Sequence, residues 1–346
     1  MRTTRVVCVA WCLTALMAGD TRWPVRASSQ ARPSAAALLD DYAAGRHEAV
    51  AAELARVRDF GALKDDLTRL ISGRMTPTAS DEQRRDALVA AAFVLEVLSA
   101  GFEMEWRQLA PLLEAACQLI RSRGPADDAE RVWMLGSIAL AGGARDRTLL
   151  DAHLPHARAR FSEEARFQLA EATAAEIGAD YESMPISTGA SPEWQARKRI
   201  AINGLATLTK VPAISAEAEL HVGYLLFQIG DRKQALAHLR LADQTTDAFV
   251  RYLSRFLAGR IMLREKQDEL AEQAFRDALA VLPGTQSASQ ALATLLFIRG
   301  RSDDAYTLME ASFSHRPLLP DPWRLYGYGD FRRWSTLRDQ LRAVLK

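Results

Sequence analysis

Cysteine is scarce in this chain: only Cys8, Cys12 and Cys117 occur among 346 residues. The first two lie in an N-terminal segment that we expect to be removed, so a single thiol remains and no internal disulfide can form. Cys117 stands in "LLEAACQLI", on the apolar face of a predicted helix, with no base or positive neighbour evident. We interpret it as a buried packing residue rather than a nucleophile.

An excess of charge of one sign is also missing. The chain has 44 basic and 43 acidic side chains, a formal net charge of +1. Such a balance produces no overall field that would attract nucleic acid or an anionic membrane. We therefore expect no nucleic-acid partner, and any partner must be recognised by a local surface.

Signatures of common enzymes are absent from the sequence. There is no HExxH, no GxxxxGK, no nucleophile elbow and no paired CxxC. His153 and His156 could share a helix face and bind a metal, but Pro155 lies between them and no third ligand is visible. We interpret both as surface or capping histidines. The sequence thus predicts a non-enzymatic protein with no catalytic residue, no metal and no cofactor.

The N-terminus has the pattern of a secretory signal. A basic start, "MRTTR", precedes the apolar stretch "VVCVAWCLTALMAG", and the small residues of "VRASSQ" follow. The apolar stretch is shorter than the about 20 residues of a membrane-spanning helix, so a retained anchor is the weaker interpretation. We predict a signal peptide over residues 1–27, cut after Ala27, and a flexible start over 28–33. The mature chain would be secreted or periplasmic, without an integral membrane span.

Helical periodicity dominates the remainder, as in "DEQRRDALVAAAFVLEVLSAG" and "DDAERVWMLGSIALAGG". Apolar residues recur with helical spacing between short breaks rich in Gly, Pro or Asp, and no segment alternates as a strand would. The sequence predicts an all-α fold, with degenerate helical repeats over residues 34–210.

A repeat of small residues lies further along the chain. Three sets of positions recur after 36 and then 34 residues: Gly223, Ala235 and Ala242; Gly259, Ala271 and Ala278; Ala293, Ala305 and Ser312. Helix axes approach closely only where side chains are small, so this spacing predicts tightly packed helix pairs.

These positions, with the closing Pro283 and Pro317, resemble the tetratricopeptide repeat family over about residues 216–319. Lys266 replaces a turn glycine of the family pattern. The resemblance implies a right-handed α-α superhelix of antiparallel helix pairs, with tetratricopeptide repeats over 211–319.

Residues 320–346 are predicted to form C-terminal capping helices. They contain an aromatic cluster, composed of Trp323, Tyr326, Tyr328, Phe331 and Trp334. Because aromatic side chains bury large areas, we favour a cluster that seals the exposed end of the core over a platform for stacking a sugar or peptide.

The resemblance also implies a groove lined by the first helix of each pair. Seven positions fall there by register: Glu217, Tyr224, Gln228, Arg260, Arg264, Gln290 and Thr294. We expect an adaptor or scaffold that holds a protein or peptide segment in this groove. Two alternatives stay open: a structural subunit of an envelope complex, and an envelope carbohydrate-active enzyme of α/α toroid type, which would need two carboxylates facing one cleft.

Overall fold

The computed structural model describes residues 34–74, 80–121, 127–181, 191–315, 321–326 and 329–345. Every regular element in these ranges is a helix, which confirms the all-α class. None of the helices in these ranges combines the length and the apolar composition needed to cross a bilayer. The predicted signal peptide, residues 28–33, Pro317 and Tyr328 lie outside the described residues.

Seventeen α-helices follow one another in the described ranges. Their bounds are α1 Ala35–Ala43, α2 His47–Leu54, α3 Phe60–Ser72, α4 Asp81–Ala100, α5 Phe102–Arg121, α6 Asp128–Gly143, α7 Arg147–Arg160, α8 Ala165–Tyr181, α9 Pro192–Leu208, α10 Ser215–Gln228, α11 Arg232–Ala242, α12 Ala248–Arg264, α13 Asp268–Val281, α14 Gln286–Ile298, α15 Ser302–Ser314, α16 Pro322–Tyr326 and α17 Trp334–Val344. A 3₁₀ helix, Gly329–Arg333, lies between the last two.

From α4 to α15 the helices form consecutive pairs, each first helix packing against its own second helix. First helices also contact one another, α4 with α6, α6 with α8 and α10 with α12, so they form one layer of the stack. We call the surface of this layer the inner face. The result is a solenoid of antiparallel helix pairs, as the sequence predicts.

One turn geometry recurs between paired helices. A residue in the left-handed region ends the first helix at five places: Gly45, Arg145, Gly230, Lys266 and Gly300. In each turn the next N–H donates to the carbonyl five residues earlier, for example Asp146 to Ala141 and Gln267 to Met262, both at 2.9 Å. This is the hydrogen bonding of a Schellman cap. Two of the five turns precede residue 211, so the upstream repeats share the turn of the downstream ones.

Small residues allow close contact within the downstream pairs. A Cβ on Gly223 would lie 2.9 Å from the Leu239 side chain, and one on Gly259 would lie 2.6 Å from the Phe275 ring. Real Cβ atoms do not approach other atoms this closely, so each glycine fixes the distance between its two helices. The predicted role of these repeated positions is confirmed.

The apolar core has two parts. One joins α1 to α8 with α17, and the other joins α8 to α15 with part of α16. In α4 and α6 nearly every residue of the second half is buried, around the whole circumference of the helix. Both helices must therefore be covered on the inner face as well.

Candidate functional site

After the last hairpin the chain returns across its own inner face. We call residues 321–326 and 329–333 the strap. It starts at α14, where the Asp321 carboxylate accepts a hydrogen bond from the Ser287 N–H at 2.7 Å, and then passes α12, α10 and α8 to reach α6. Tyr306 on the last helix, α15, remains 73 % exposed, so this region does not cover that side of the last hairpin. The strap instead follows the first helices.

Aromatic rings attach the strap to α10 and α12. The Trp323 ring lies 5.3 Å from Tyr224 in an edge-on arrangement and 5.6 Å from Phe256, measured between centroids. The Arg260 guanidinium carbon lies 5.1 Å from the Trp323 ring centroid, a cation–π contact. Tyr224 and Arg260, which were predicted to face a partner, thus contact the protein's own strap.

The Glu217 carboxylate on α10 forms ion pairs with three arginines. Arg166 on α8 binds both carboxylate oxygens at 2.6 Å, while Arg332 and Arg333 of the strap donate to Oε1 at 2.9 and 3.0 Å. Burial raises the pKa of Glu217, but the hydrogen bonds and charges of the three arginines outweigh it and lower the pKa to about 2. Glu217 is therefore ionised at neutral pH, which suits an anchor and not a general acid.

Arg332 also contacts α12. Its Nη2 donates to the Asp247 carboxylate at 3.0 Å, and its guanidinium carbon lies 4.4 Å from the Phe249 ring centroid. One strap arginine thus joins two carboxylates and an aromatic ring on two adjacent first helices. Such a set of contacts recognises the planar guanidinium group better than an ammonium group.

A second polar cluster lies under Tyr326. His221 Nδ1 on α10 is 2.7 Å from Glu176 Oε2 on α8, and the Tyr326 hydroxyl donates to Glu176 Oε1 at 2.8 Å. The same hydroxyl lies 2.8 Å from His221 Nδ1. Glu176 and His221 are both buried, so the strap contributes a hydrogen-bonding group to two polar side chains with little access to solvent.

A small cavity lies beneath the strap. It has a volume of about 20 Å³, room for about one water molecule, and lies between α8, α10 and α12. Its walls include Thr173, Glu217 and His221 from the first helices, and Tyr326 and Arg332 from the strap. The strap therefore lies closely against the first helices, and its attachment combines polar contacts with partly buried rings.

Helix α17 is attached in a different way. Trp334 is 6 % exposed, its Nε1 donates to Ser99 Oγ at 2.6 Å, and its ring fills the space above Gly136, where an added Cβ would meet it at 3.0 Å. Leu337 and Leu341 are buried in the same core as α4 and α6. Helix α17 therefore supplies the inner cover that these two apolar helices need.

A buried ion pair joins α17 to α4. Arg342 Nε donates to Glu96 Oε1 at 2.8 Å, and both residues are buried. Burial raises the pKa of Glu96, and the opposing hydrogen bond and charge of Arg342 do not cancel this rise. Glu96, which is buried, and Glu217, which is half-buried, thus have opposite pKa shifts, because one has a single arginine in direct contact and the other has three.

The inner face is uncovered near the last hairpin. Arg264 on α12 and Gln290 and Thr294 on α14 are exposed, and Phe297, on the same side of α14 as Thr294, is 66 % exposed. Gln228 at the end of α10 is half-buried, and its Oε1 accepts no hydrogen bond within the described part of the chain. Of the predicted groove residues, Glu217, Tyr224 and Arg260 lie under the strap, while Arg264, Gln290 and Thr294 do not.

Cys117 and His153 lie together, which the sequence did not indicate. Cys117 is buried as predicted, but His153 is buried too, so its interpretation as a surface or capping residue is wrong. Helix α7 continues through Pro155 and carries His153 inward. The Cys117 Sγ is 3.5 Å from His153 Nε2, and Glu114 Oε2 is 3.3 Å from that same nitrogen. A catalytic triad needs thiol and acid on different ring nitrogens, so this is not one.

Metal ligands do not cluster in the part of the chain that the structure describes. No group of three or more His, Cys, Asp or Glu side chains is placed there to hold an ion. His153 and His156 both line a small cavity with Trp133 and Ser137, next to Cys117.

Sequence reasoning missed both covers of the inner face, the strap and helix α17. A helix that is apolar on all sides must be buried on all sides, and the runs "ALVAAAFVLEVL" and "VWMLGSIALAGG" have this composition. They therefore indicated that α4 and α6 require a cover on the inner face. No local pattern indicated that α17 would be that cover.

The packing and the recurring turn define the class of protein as an all-α solenoid of helical hairpins. The chain is similar in structure to two solved structures, "Crystal structure of MamA" and "Crystal structure of MamA protein". The TM-scores are 0.36 and 0.35, the sequence identities 15 % and 16 %, and the similarity covers 54 % of this chain and 94 % and 98 % of those chains. No protein-family model matches the chain, and neither does any curated protein sequence.

Proposed function

We propose that this protein is a non-enzymatic scaffold of tetratricopeptide type that holds a protein segment on its inner face. One observation supports this most directly: the uncovered stripe of Gln290, Thr294 and Phe297 on α14, with Arg264 exposed on the preceding first helix. An exposed aromatic ring beside polar side chains and an arginine has the composition of a protein-binding surface. Binding in this position would use the groove of stacked first helices.

The proposal includes export of the chain. The basic start and the apolar stretch before Ala27 support a cleaved signal, which would place the scaffold outside the cytoplasm. Sequencing the N-terminus of the mature protein tests this point. A chain that begins at Ser28 agrees with the proposal, whereas a chain that retains the apolar stretch contradicts it.

Site-specific crosslinking tests the binding surface. A photoreactive amino acid at Thr294 on the inner face should give a discrete adduct with one protein in the native host. The same group at Lys233, which is exposed on the second helix α11, is the matched control and should not give that adduct. Arg264→Glu combined with Phe297→Ser should weaken the adduct while the helical content stays unchanged. Equal adducts from both positions, or none from Thr294, would refute the proposal.

We do not propose the α/α toroid enzyme, because Glu217 and Glu176 on the inner face already bind other side chains of the protein. Glu217 pairs with three arginines, and Glu176 contacts His221 and Tyr326. A glycosidase needs one carboxyl group with a raised pKa and a second one across an open cleft. The lowered pKa of Glu217 is opposite to the first of these requirements.

A further inference from the structure

The strap and α17 differ in how firmly they are attached. The apolar side chains of α17 that face the stack belong to the buried core, whereas Trp323, Tyr326 and Phe331 of the strap are only partly buried. Strap contacts are ion pairs, hydrogen bonds and the packing of these partly buried rings against the stack. We therefore expect the strap to detach from the inner face at a lower cost in free energy than α17.

Removing the strap would leave a charged and aromatic surface behind. Glu217 would retain Arg166 but lose two arginines, and Asp247 would lose Arg332. Two carboxylates would then face one arginine, beside the rings of Tyr224 and Phe256. This surface is complementary to a segment that offers an aromatic ring and a guanidinium group.

We propose that the strap is an intramolecular ligand, and that it occupies the site of a partner segment with the same chemistry. That segment carries an aromatic residue to replace Trp323 and an arginine to replace Arg332, which lies nine positions after Trp323 in the strap. The partner binds by displacing the strap from α8, α10 and α12. This inference rests on the proposed scaffold function and specifies the partner that the scaffold accepts.

A peptide with the sequence of residues 321–333, carrying a fluorescent label, is the direct probe. The full chain with Trp323→Ala and Arg332→Ala should release the strap and leave the walls of the site intact. Fluorescence anisotropy should show this variant binding the peptide at least about tenfold more tightly than the wild type, whose site is occupied. Arg324→Ala is the matched control, since Arg324 is an exposed arginine of the same strap and should leave peptide affinity at the wild-type value.

The walls of the site supply a second control. Adding Glu217→Gln to the released variant should weaken peptide binding at least about tenfold, because a buried charged contact is lost. A peptide that itself carries Trp323→Ala and Arg332→Ala should not bind. If the released variant fails to bind the peptide, or if Glu217→Gln leaves the affinity unchanged, the proposal is overturned.

Hydrogen exchange on the wild-type chain avoids any dependence on the folding of variants. Excess peptide should increase deuterium uptake at residues 321–326 and leave residues 334–344 protected. Unchanged uptake in the strap at saturating peptide would overturn the proposal. These measurements use only the purified chain and the peptide, so they are independent of crosslinking at Thr294. If the peptide binds but no partner is crosslinked at Thr294, the proposed function is contradicted, while the proposal that the strap is an intramolecular ligand still holds.

Discussion

Two stretches of one inner face are covered in different ways. Over α4 and α6 the cover is α17, which inserts Trp334, Leu337 and Leu341 into the core. Over α8, α10 and α12 the cover is the strap, which is held by arginines and half-buried rings. The difference follows from the first helices beneath, since α4 and α6 are apolar on all sides, while α10 and α12 present Glu217 and Arg260. A continuous solenoid can thus have a permanent cover over one stretch of its inner face and a removable one over the next.

The two tryptophans provide the sharpest test of this difference. Trp334→Ala should destabilise the protein by about 3–5 kcal/mol, because it empties a packed site above Gly136 and leaves Ser99 without its hydrogen bond. Trp323→Ala, the matched change in the strap, should cost less than about 2 kcal/mol, because that ring is only partly buried. Urea unfolding of both variants measures the two effects. Equal losses would show that the two covers are attached equally firmly.

Acid unfolding should distinguish the contributions of Glu217 and Glu96 to stability. The pKa of Glu217 is about 2 in the folded protein and near 4.5 when unfolded, so its contribution is fully present above pH 4.5 and is lost as the pH falls from 4.5 toward 2. The loss should be about 3 kcal/mol. It is obtained from the free energy of unfolding at each pH for the wild type and for Glu217→Gln, which should lack this dependence.

Glu96→Gln is the control for acid unfolding. The pKa of Glu96 is raised, so Glu96 favours the folded state more when protonated, and its contribution declines as the pH rises. This variant should retain the acid loss between pH 4.5 and 2. If Glu96→Gln removed that loss instead, the assignment of the loss to Glu217 and its three arginines would be wrong.

Gly259→Ala should destabilise the protein by about 1–3 kcal/mol, because its Cβ would lie 2.6 Å from the Phe275 ring within a closely packed pair. Gly136→Ala, under α17, should cost less, since the nearest atoms are 3.0 and 3.1 Å away. Thermal melts of the two variants compare the packing of the two regions. Gly204→Ala is the control: its Cβ would meet nothing within 4 Å, so it should stabilise helix α9 by up to about 1 kcal/mol.

The recurring turn should give the smallest effect. Lys266 has φ of 59°, a conformation that costs a residue with a Cβ more than it costs glycine. Lys266→Gly should therefore stabilise the protein by up to about 1 kcal/mol in urea unfolding. Gly230→Ala, at the equivalent turn with φ of 93° and no neighbour in contact, should have the opposite sign. A loss of stability in Lys266→Gly would show that its side chain makes contacts that outweigh the backbone strain.

Local sequence patterns predicted the features that depend on interactions between residues close together in the sequence. Helical periodicity gave the all-α class, the 36 and 34 residue intervals gave the helix pairs, and the turn at Lys266 was recognised although glycine is missing there. The strap could not be predicted in this way. Arg332 and Glu217 are 115 residues apart, and a contact of that range has no periodic signature.

The groove residues show the same division between local and distant information. Register along α10 and α12 identified Glu217, Tyr224 and Arg260 as residues of the inner face, but the register of a helix does not show what lies against it. Likewise, the position of His153 on α7 did not show that this side of the helix turns toward Cys117. A partner for the exposed positions Arg264, Gln290 and Thr294 stays a prediction.

The ion pair between Arg342 and Glu96 spans 246 residues, and this separation has a consequence for biosynthesis. A ribosome adds about 5–20 residues per second, so α4 would wait about 10–50 s for its partner to be made. During that interval the nascent helices α4 and α6 lack the cover that α17 supplies, and exposed apolar surface of this kind favours aggregation. The N-terminal half of the molecule therefore completes its core only after the last helix has been translated.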